Sequence, residues 1–175
     1  MIILILSSLY FMLPAYVANT FPILIGQLFK LPGGKPINEK LFGAHKTWRG
    51  FYTAYFGAFA TLVAQRYLQD LEFFANISLL DYHNTNLLFY AFLFGIGAMT
   101  GDLVKSFFKR RIGIKPGQPW FPFDQLDLVI GALIFLAPFY QLSGKSILIL
   151  VILTPILHLL TNIAAYLLKI KKVWW

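Results

Sequence analysis

Cysteine is absent from the 175-residue chain. That excludes disulfides and thiolate metal sites, and it leaves the redox compartment unmarked. Charge is also scarce: 13% of residues are Asp, Glu, Lys or Arg, against 58% that are hydrophobic. So thin a charged surface excludes an ordinary soluble domain. With a mean hydropathy of +0.68, it points to a polytopic membrane protein. Acids are the scarcest charges, 7 against 15 basic residues. The opening MIILILSSLY has no basic n-region and no small-residue cleavage site. Its apolar run is also too long for a signal peptide, so it reads as a retained first span. No internal repeat is apparent, and the odd number of spans counted below makes an inverted-repeat transporter less natural. The length has room for one compact bundle, and a single integral-membrane domain over residues 1–175 is expected.

A membrane-crossing helix needs about 20 apolar residues. Five segments qualify, near 2–29, 49–69, 87–108, 125–142 and 146–168. The expected fold is therefore all-α, a polytopic membrane protein with five transmembrane helices. The connections are 30–48, 70–86, 109–124 and 143–145, with a tail from Lys169. Five spans place the termini on opposite sides. One face then gathers 13 of the 15 basic residues, and the other holds only Arg66 and Lys145. The basic face is the cytoplasmic one. The expectation is a multi-pass protein of the cell membrane, with its N-terminus outside, its C-terminus in the cytoplasm and its chemistry on the cytoplasmic side. Trp48, Trp120, Trp174 and Trp175 fall at that same interface, as aromatic belts do.

The charges that are present concentrate in one place. Residues 102–127 read DLVKSFFKRRIGIKPGQPWFPFDQLD. Asp102, Asp124 and Asp127 bracket Lys105, Lys109, Arg110, Arg111 and Lys115. Ionisable groups at the edge of a membrane core are costly and point to function. Carboxylates and cations together suit a metal ion and a polyphosphate. Asp102, Lys105 and Lys109 share one helical face by their spacing. Ser106 lies one residue round, and small residues at Gly95, Gly97, Ala98 and Gly101 allow close helix approach. Asp102 reads either as a metal ligand or as the ion-pair partner of Lys105. Asp124 and Asp127 share a face at a helix start, where capping would explain one of them and leave the other unpaired. Acidic oxygens without cysteine favour Mg2+ over zinc. The loop 109–124, punctuated by Pro116, Pro119, Pro122, Gly113 and Gly117, reads as a stiff wall of a cleft or as an interfacial connector.

Two further groups frame this stretch. Gly43-Ala-His-Lys46-Thr47-Trp-Arg49 enters the second span. Backbone N–H groups there, with Lys46, Thr47 and Arg49, can cradle phosphate, or else form a basic interfacial turn. It is no P-loop, because His45 and not glycine precedes Lys46. The first span carries Asn19 among Pro14, Thr20 and Pro22, and the fifth carries His158 and Asn162, four residues apart. These groups read as interhelical hydrogen-bond formers or as the lining of a lipid-phosphate pocket. His83, in the outer connection, reads as solvated.

Together these residues resemble a known family. Ser106-Phe-Phe-Lys109-Arg110, then Lys115, then Asp124-Gln-Leu-Asp127 resemble the signature of the CTP:phosphatidate cytidylyltransferases. The similarity is closest to the archaeal CDP-archaeol synthase branch. Pro14-Ala-Tyr-Val-Ala-Asn19, Gly43 to Gly50, Gly101-Asp102, His158-Leu-Leu-Thr-Asn162 and Lys171-Lys-Val-Trp174 fit that branch, so the resemblance spans nearly the whole chain. It departs from the phosphatidate enzymes at Lys115-Pro116, at Trp120-Phe-Pro-Phe123 and at Gln125, which favours an archaeal ether lipid as substrate.

The resemblance implies a single cytidylyltransferase domain in phospholipid biosynthesis. Its substrates would be CTP and an isoprenoid ether-lipid phosphate, 2,3-di-O-geranylgeranylglyceryl phosphate, with membrane lipids around it and Mg2+ as cofactor. Asp124, Asp127 and Asp102 would hold the metal. Lys105, Lys109, Arg110 and Lys115 would be catalytic. Lys46, Thr47, Arg49, Ser106, Asn19, His158 and Asn162 would bind substrate. The competing class is a lipid-binding or transport protein with a basic cytoplasmic face. It accounts for the lysines and not for the paired aspartates. The Asp-Gly-x-x-Ala-Arg pattern of CDP-alcohol phosphotransferases is absent. A nucleic-acid partner is not expected, because the basic residues are tethered at a membrane.

Overall fold

The computed structural model describes residues 1–115, 118–167 and 169. The expected roles of Pro116 and Gly117 in the loop, and of Lys171, Lys172, Trp174 and Trp175 in the tail, lie outside the described residues. Five long helices form where apolar runs predict them: α1 (Ile2–Leu28), α3 (Trp48–Leu68), α5 (Leu87–Arg111), α6 (Phe123–Leu136) and α7 (Gly144–Leu167). Two short helices, α2 (Glu39–Phe42) and α4 (Glu72–Ile77), lie in the connections. Among the described residues the extended pairing is a single isolated bridge, Pro36 to Thr47. The described residues are all-helical in their regular structure, as expected.

Three of these helices are long and apolar enough to cross a membrane: Ile2–Leu28, Leu87–Arg111 and the Gly144–Ala164 part of α7. α6 stops at Leu136, short of the expected 142. Pro138 fits the stop, since it has no N–H to donate to the helix ladder. At 14 residues, α6 is about 21 Å long, less than a hydrocarbon core of about 30 Å. α5 instead runs three residues past 108, to Arg111, with Lys109, Arg110 and Arg111 in its last turn. Cations there complement the negative end of the helix dipole.

Successive long helices run in opposite directions, and α5 sits among α1, α3 and α6. α5 and α6 make the closest pairing. A Cβ placed on Gly101 would strike the backbone carbonyl of Asp127, and one on Gly131 would strike the carbonyl of Gly97. Only glycine permits this approach, and lipid-embedded helices gain their packing from such small-residue crossings. On its neighbouring face α5 brings Gly95 against the α3 backbone at Ala54 and Tyr55. The buried apolar side chains form one cluster. Within it, Phe11 meets Phe94 edge-to-face and Tyr140 at a tilt, at centroid distances of 5.3 and 5.0 Å. α7 is the most peripheral long helix and shows mostly exposed apolar side chains, such as Ile152, Ile156 and Leu160.

Candidate active site

Helix polarity brings five chain segments to one end of the bundle. They are the C-terminal ends of α1 and α5, the N-terminal ends of α3 and α6, and the second half of α7. Between them lies a cavity of about 780 Å³. It is lined by Asn19, Lys46, Thr47, Arg49, Asp102, Lys105, Lys109, Asp124, Asp127, His158 and Asn162. Eleven of the fourteen candidate residues thus meet at one hollow.

The first connection reaches the cavity through local pairing. Ile37 N–H donates to Lys46 O at 2.8 Å, and Trp48 N–H donates to Lys35 O at 3.1 Å. Thr47 caps α3, its hydroxyl accepting from Gly50 N–H at 3.2 Å. That leaves Thr47 an anchoring role in addition to any ligand contact. Arg49 donates to the Pro32 carbonyl. A Cβ on Gly34 would lie 2.9 Å from Arg49 Cβ and 3.1 Å from Thr47 Cβ, so this fold of the loop requires glycine there. The result sets Lys46 against Asp102, with which it forms an ion pair.

On α5 the expected face is present. Asp102, 7% exposed, and Lys109, 7% exposed, are buried on it, and Lys105 lies between them. Buried charges are tolerated only when paired. Lys105 Nζ lies 2.9 Å from Asp102 Oδ1, 2.7 Å from Asp127 Oδ2 and 3.2 Å from Asp124 Oδ1. Lys109 donates to both oxygens of Asp124 at 2.9 and 2.8 Å and to the Gln118 carbonyl at 2.7 Å. Asp124 is not an N-cap, because Pro122 holds that position. Its Oδ2 instead accepts from Trp120 N–H at 2.6 Å, folding the loop back over the helix start. Asp127 Oδ1 accepts from Leu128 N–H at 2.6 Å. Asp102 therefore pairs with Lys105, as one of its two readings has it, and with Lys46 as well.

Three candidates lie outside the cavity lining. Ser106 is buried in the helix packing. Arg110 donates to the Ile114 carbonyl at 2.5 Å and so shapes the turn after α5. Lys115 is exposed on the loop. On α7, Asn162 Nδ2 lies 3.2 Å from His158 Nδ1. The spacing of four between them thus gives a contact, and both residues line the cavity. His83 is exposed, with Nε2 3.0 Å from Asp70. Sequence reasoning missed Gln118 and Gln125, which also line the cavity. The Gln125 Oε1 is buried without a hydrogen-bond partner. Its position between the two aspartates of one motif was the available signal.

Among the described residues, no three Asp, Glu or His side chains form a ready-made metal cage. The three aspartates converge on a lysine ammonium instead. All their donor atoms are carboxylate oxygens, the type that hard divalent cations prefer. The arrangement can therefore hold cations against acids and present Lys46, Lys105, Lys109 and Arg49 to an anionic ligand.

Comparison with known proteins gives the arrangement a family. The whole chain, residues 1–175, matches the family described as CarS-like, CDP-archaeol synthase. A CDP-archaeol synthase of Methanococcoides burtonii is 38% identical, covering 94% of this chain and 100% of the relative. That of Pyrococcus furiosus is 34% identical, covering 98% of each chain. A solved structure described as an intramembrane enzyme for archaeal membrane lipid biosynthesis superposes with a TM-score of 0.73. It is 28% identical over 91% of this chain and 94% of that one. With the apolar helices, that likeness makes this a membrane protein. On full-length similarity at these identities, the chain belongs to the CDP-archaeol synthase family.

Proposed function

We propose that this chain is a CTP-dependent nucleotidyltransferase of archaeal phospholipid biosynthesis. It transfers CMP from CTP to an ether-lipid phosphate, 2,3-di-O-geranylgeranylglyceryl phosphate, giving a CDP-archaeol-type lipid and pyrophosphate. One observation carries the reading: the cavity at one end of an apolar bundle is lined by Lys46, Lys105 and Lys109 together with three aspartates. A soluble triphosphate and a lipid headgroup can meet only at such an edge.

An oxygen of the lipid phosphate attacks the α-phosphorus of CTP in line. The bond from that phosphorus to the β-phosphate bridging oxygen breaks, and pyrophosphate leaves with the electron pair. A phosphate dianion is already a nucleophile, so no Ser, Cys or His nucleophile is needed. What remains for the protein is positioning and charge neutralisation. Lys105 and Lys109, on the α5 face of the cavity, offset charge on the α-phosphate and on the leaving group. Lys46, Thr47 and Arg49, on the α3 side, hold triphosphate or lipid phosphate. Asn19, His158 and Asn162 bind the lipid headgroup, with the isoprenoid chains lying between α1 and α7. Arg110 shapes the turn after α5, Ser106 packs the helix end that carries Lys109, and Lys115, exposed on the loop, offsets charge on the leaving pyrophosphate. The carboxylate set suits Mg2+, which Asp124 and Asp127, with Asp102, would hold. When bound it would neutralise triphosphate charge.

The same reading places five spans in the membrane, with α3 and the segment from α6 to Leu142 joining the three apolar helices. The N-terminus is outside and the C-terminus and cavity are cytoplasmic, since the positive side of a membrane protein faces the cytoplasm. Purified protein given labelled CTP, Mg2+ and the lipid phosphate is expected to form CDP-lipid and pyrophosphate. No labelled lipid would overturn the function. Product formed in excess EDTA would overturn the metal assignment alone.

A further inference from the structure

Lys105 has an unusual set of partners. An ammonium group has three N–H donors and no acceptor. Here three carboxylates, Asp102, Asp124 and Asp127, lie 2.9, 3.2 and 2.7 Å from its Nζ. One comes from its own helix by the i,i+3 spacing. The other two come from α6, brought near by the Gly101 crossing. Lys109 and Lys46 take oxygens at the edges of the set, on Asp124 and Asp102. Lys105 alone joins all three acids. Three carboxylates face three lysines here, so the cluster is electrically balanced by the chain itself.

We propose that Lys105 is the internal counter-cation of this cluster and competes with the divalent ion for the same oxygens. The inference rests on Asp124 and Asp127 being the metal ligands. A divalent ion and the ammonium cannot share those oxygens without strong repulsion. Nucleotide phosphates resolve the conflict by offering Lys105 another anion and the metal further oxygen ligands. Metal and nucleotide then bind with positive coupling, each raising the affinity for the other by the same factor. Lys105 thereby does two things: it keeps the buried aspartates paired, and it delivers its charge to the phosphates when the metal enters.

The test uses the full chain in detergent and Mn2+ as the probe, with free Mn2+ followed by electron paramagnetic resonance. In Lys105→Met, nucleotide-free Mn2+ binding is expected to tighten by about tenfold or more, because a like charge is removed from the ligand oxygens. Addition of CTP is expected to strengthen Mn2+ binding more in the wild type than in Lys105→Met. Equal or weaker nucleotide-free binding in Lys105→Met would overturn the proposal. Asp124→Asn with Asp127→Asn separates it from the underlying assignment. Loss of Mn2+ binding there, without a gain in Lys105→Met, sinks only the competition. Wild-type Mn2+ binding in the double variant sinks the ligand assignment and the competition together. Should Lys105→Met fail to fold, the wild type suffices. Saturating Mn2+ without nucleotide is expected to speed acylation of the Lys105 amine, read by mass spectrometry, and an unchanged rate would overturn the proposal.

Discussion

The two ends of the bundle solve the problem of polar groups near a membrane in opposite ways. At the end opposite the cavity, side chains close the structure mainly by bonding to backbone. Gln69 donates to the Leu80 carbonyl at 2.9 Å and accepts from Tyr82 N–H at 2.8 Å. Tyr140 donates to the Leu79 carbonyl at 2.8 Å. Asp81 organises the next turn, taking N–H groups of His83 and Asn84 at 3.1 and 3.3 Å. Side chains there satisfy backbone, and backbone cannot leave. At the cavity end, side-chain ions satisfy one another, and each can exchange its partner for a ligand. Closure by amides gives rigidity, and closure by ions gives a site that holds its charges until substrate arrives.

The largest expected effect is at the ionic end. Asp124→Asn with Asp127→Asn is expected to lower CMP transfer by about a thousandfold or more, as loss of charge stabilisation at a reacting phosphoryl group does. Labelled CTP reports the rate, and circular dichroism is expected to keep its helical signal. Full activity would erase the functional distinction between the ends. Next comes the crossing that builds the site. Gly101→Val places carbon against the Asp127 carbonyl, and such overpacking costs about 1–3 kcal/mol. Thermal unfolding should shift down and CMP transfer should fall with it. Gly144→Ala, which meets nothing within 4 Å, is the matched control and should change neither.

At the closed end, Gln69→Ala is expected to cost about 1–3 kcal/mol by leaving a backbone carbonyl and an N–H unpaired. The KM for CTP should stay unchanged, since Gln69 touches nothing in the cavity. A raised KM would show that the two ends are coupled. The smallest effect concerns acid. Hydrogen bonds from Asn84 and His83 hold the Asp81 carboxyl below its ordinary value. Its contribution is therefore full above the ordinary carboxylate pKa and is lost as pH falls through the depressed folded value. Amide exchange in the 81–85 turn should speed up there, and Asp81→Ala should remove that pH dependence.

Much of the fold was legible because helices in lipid must be long and apolar. The five long elements follow the apolar runs, and α6 ends early at a proline that could have been read from the chain. The short α2 and α4, of 4 and 6 residues, were themselves too brief to show periodicity. Gln118 was invisible as a partner, because Lys109 takes its backbone carbonyl and not its side chain.

By itself, the sequence determined the all-helical class, the lack of thiol chemistry, and the shared face of Asp102, Lys105 and Lys109. Each follows from composition or from the 3.6-residue period, and both are local properties. Only the tertiary structure decided that Asp124 and Asp127 meet Lys105, that Lys46 returns to Asp102, and that α1 and α7 contribute Asn19, His158 and Asn162 to the same cavity. Those meetings depend on how closely two helices approach. The glycine-lined crossing of α5 and α6 sets that distance as a property of two matched surfaces, which neither segment encodes alone.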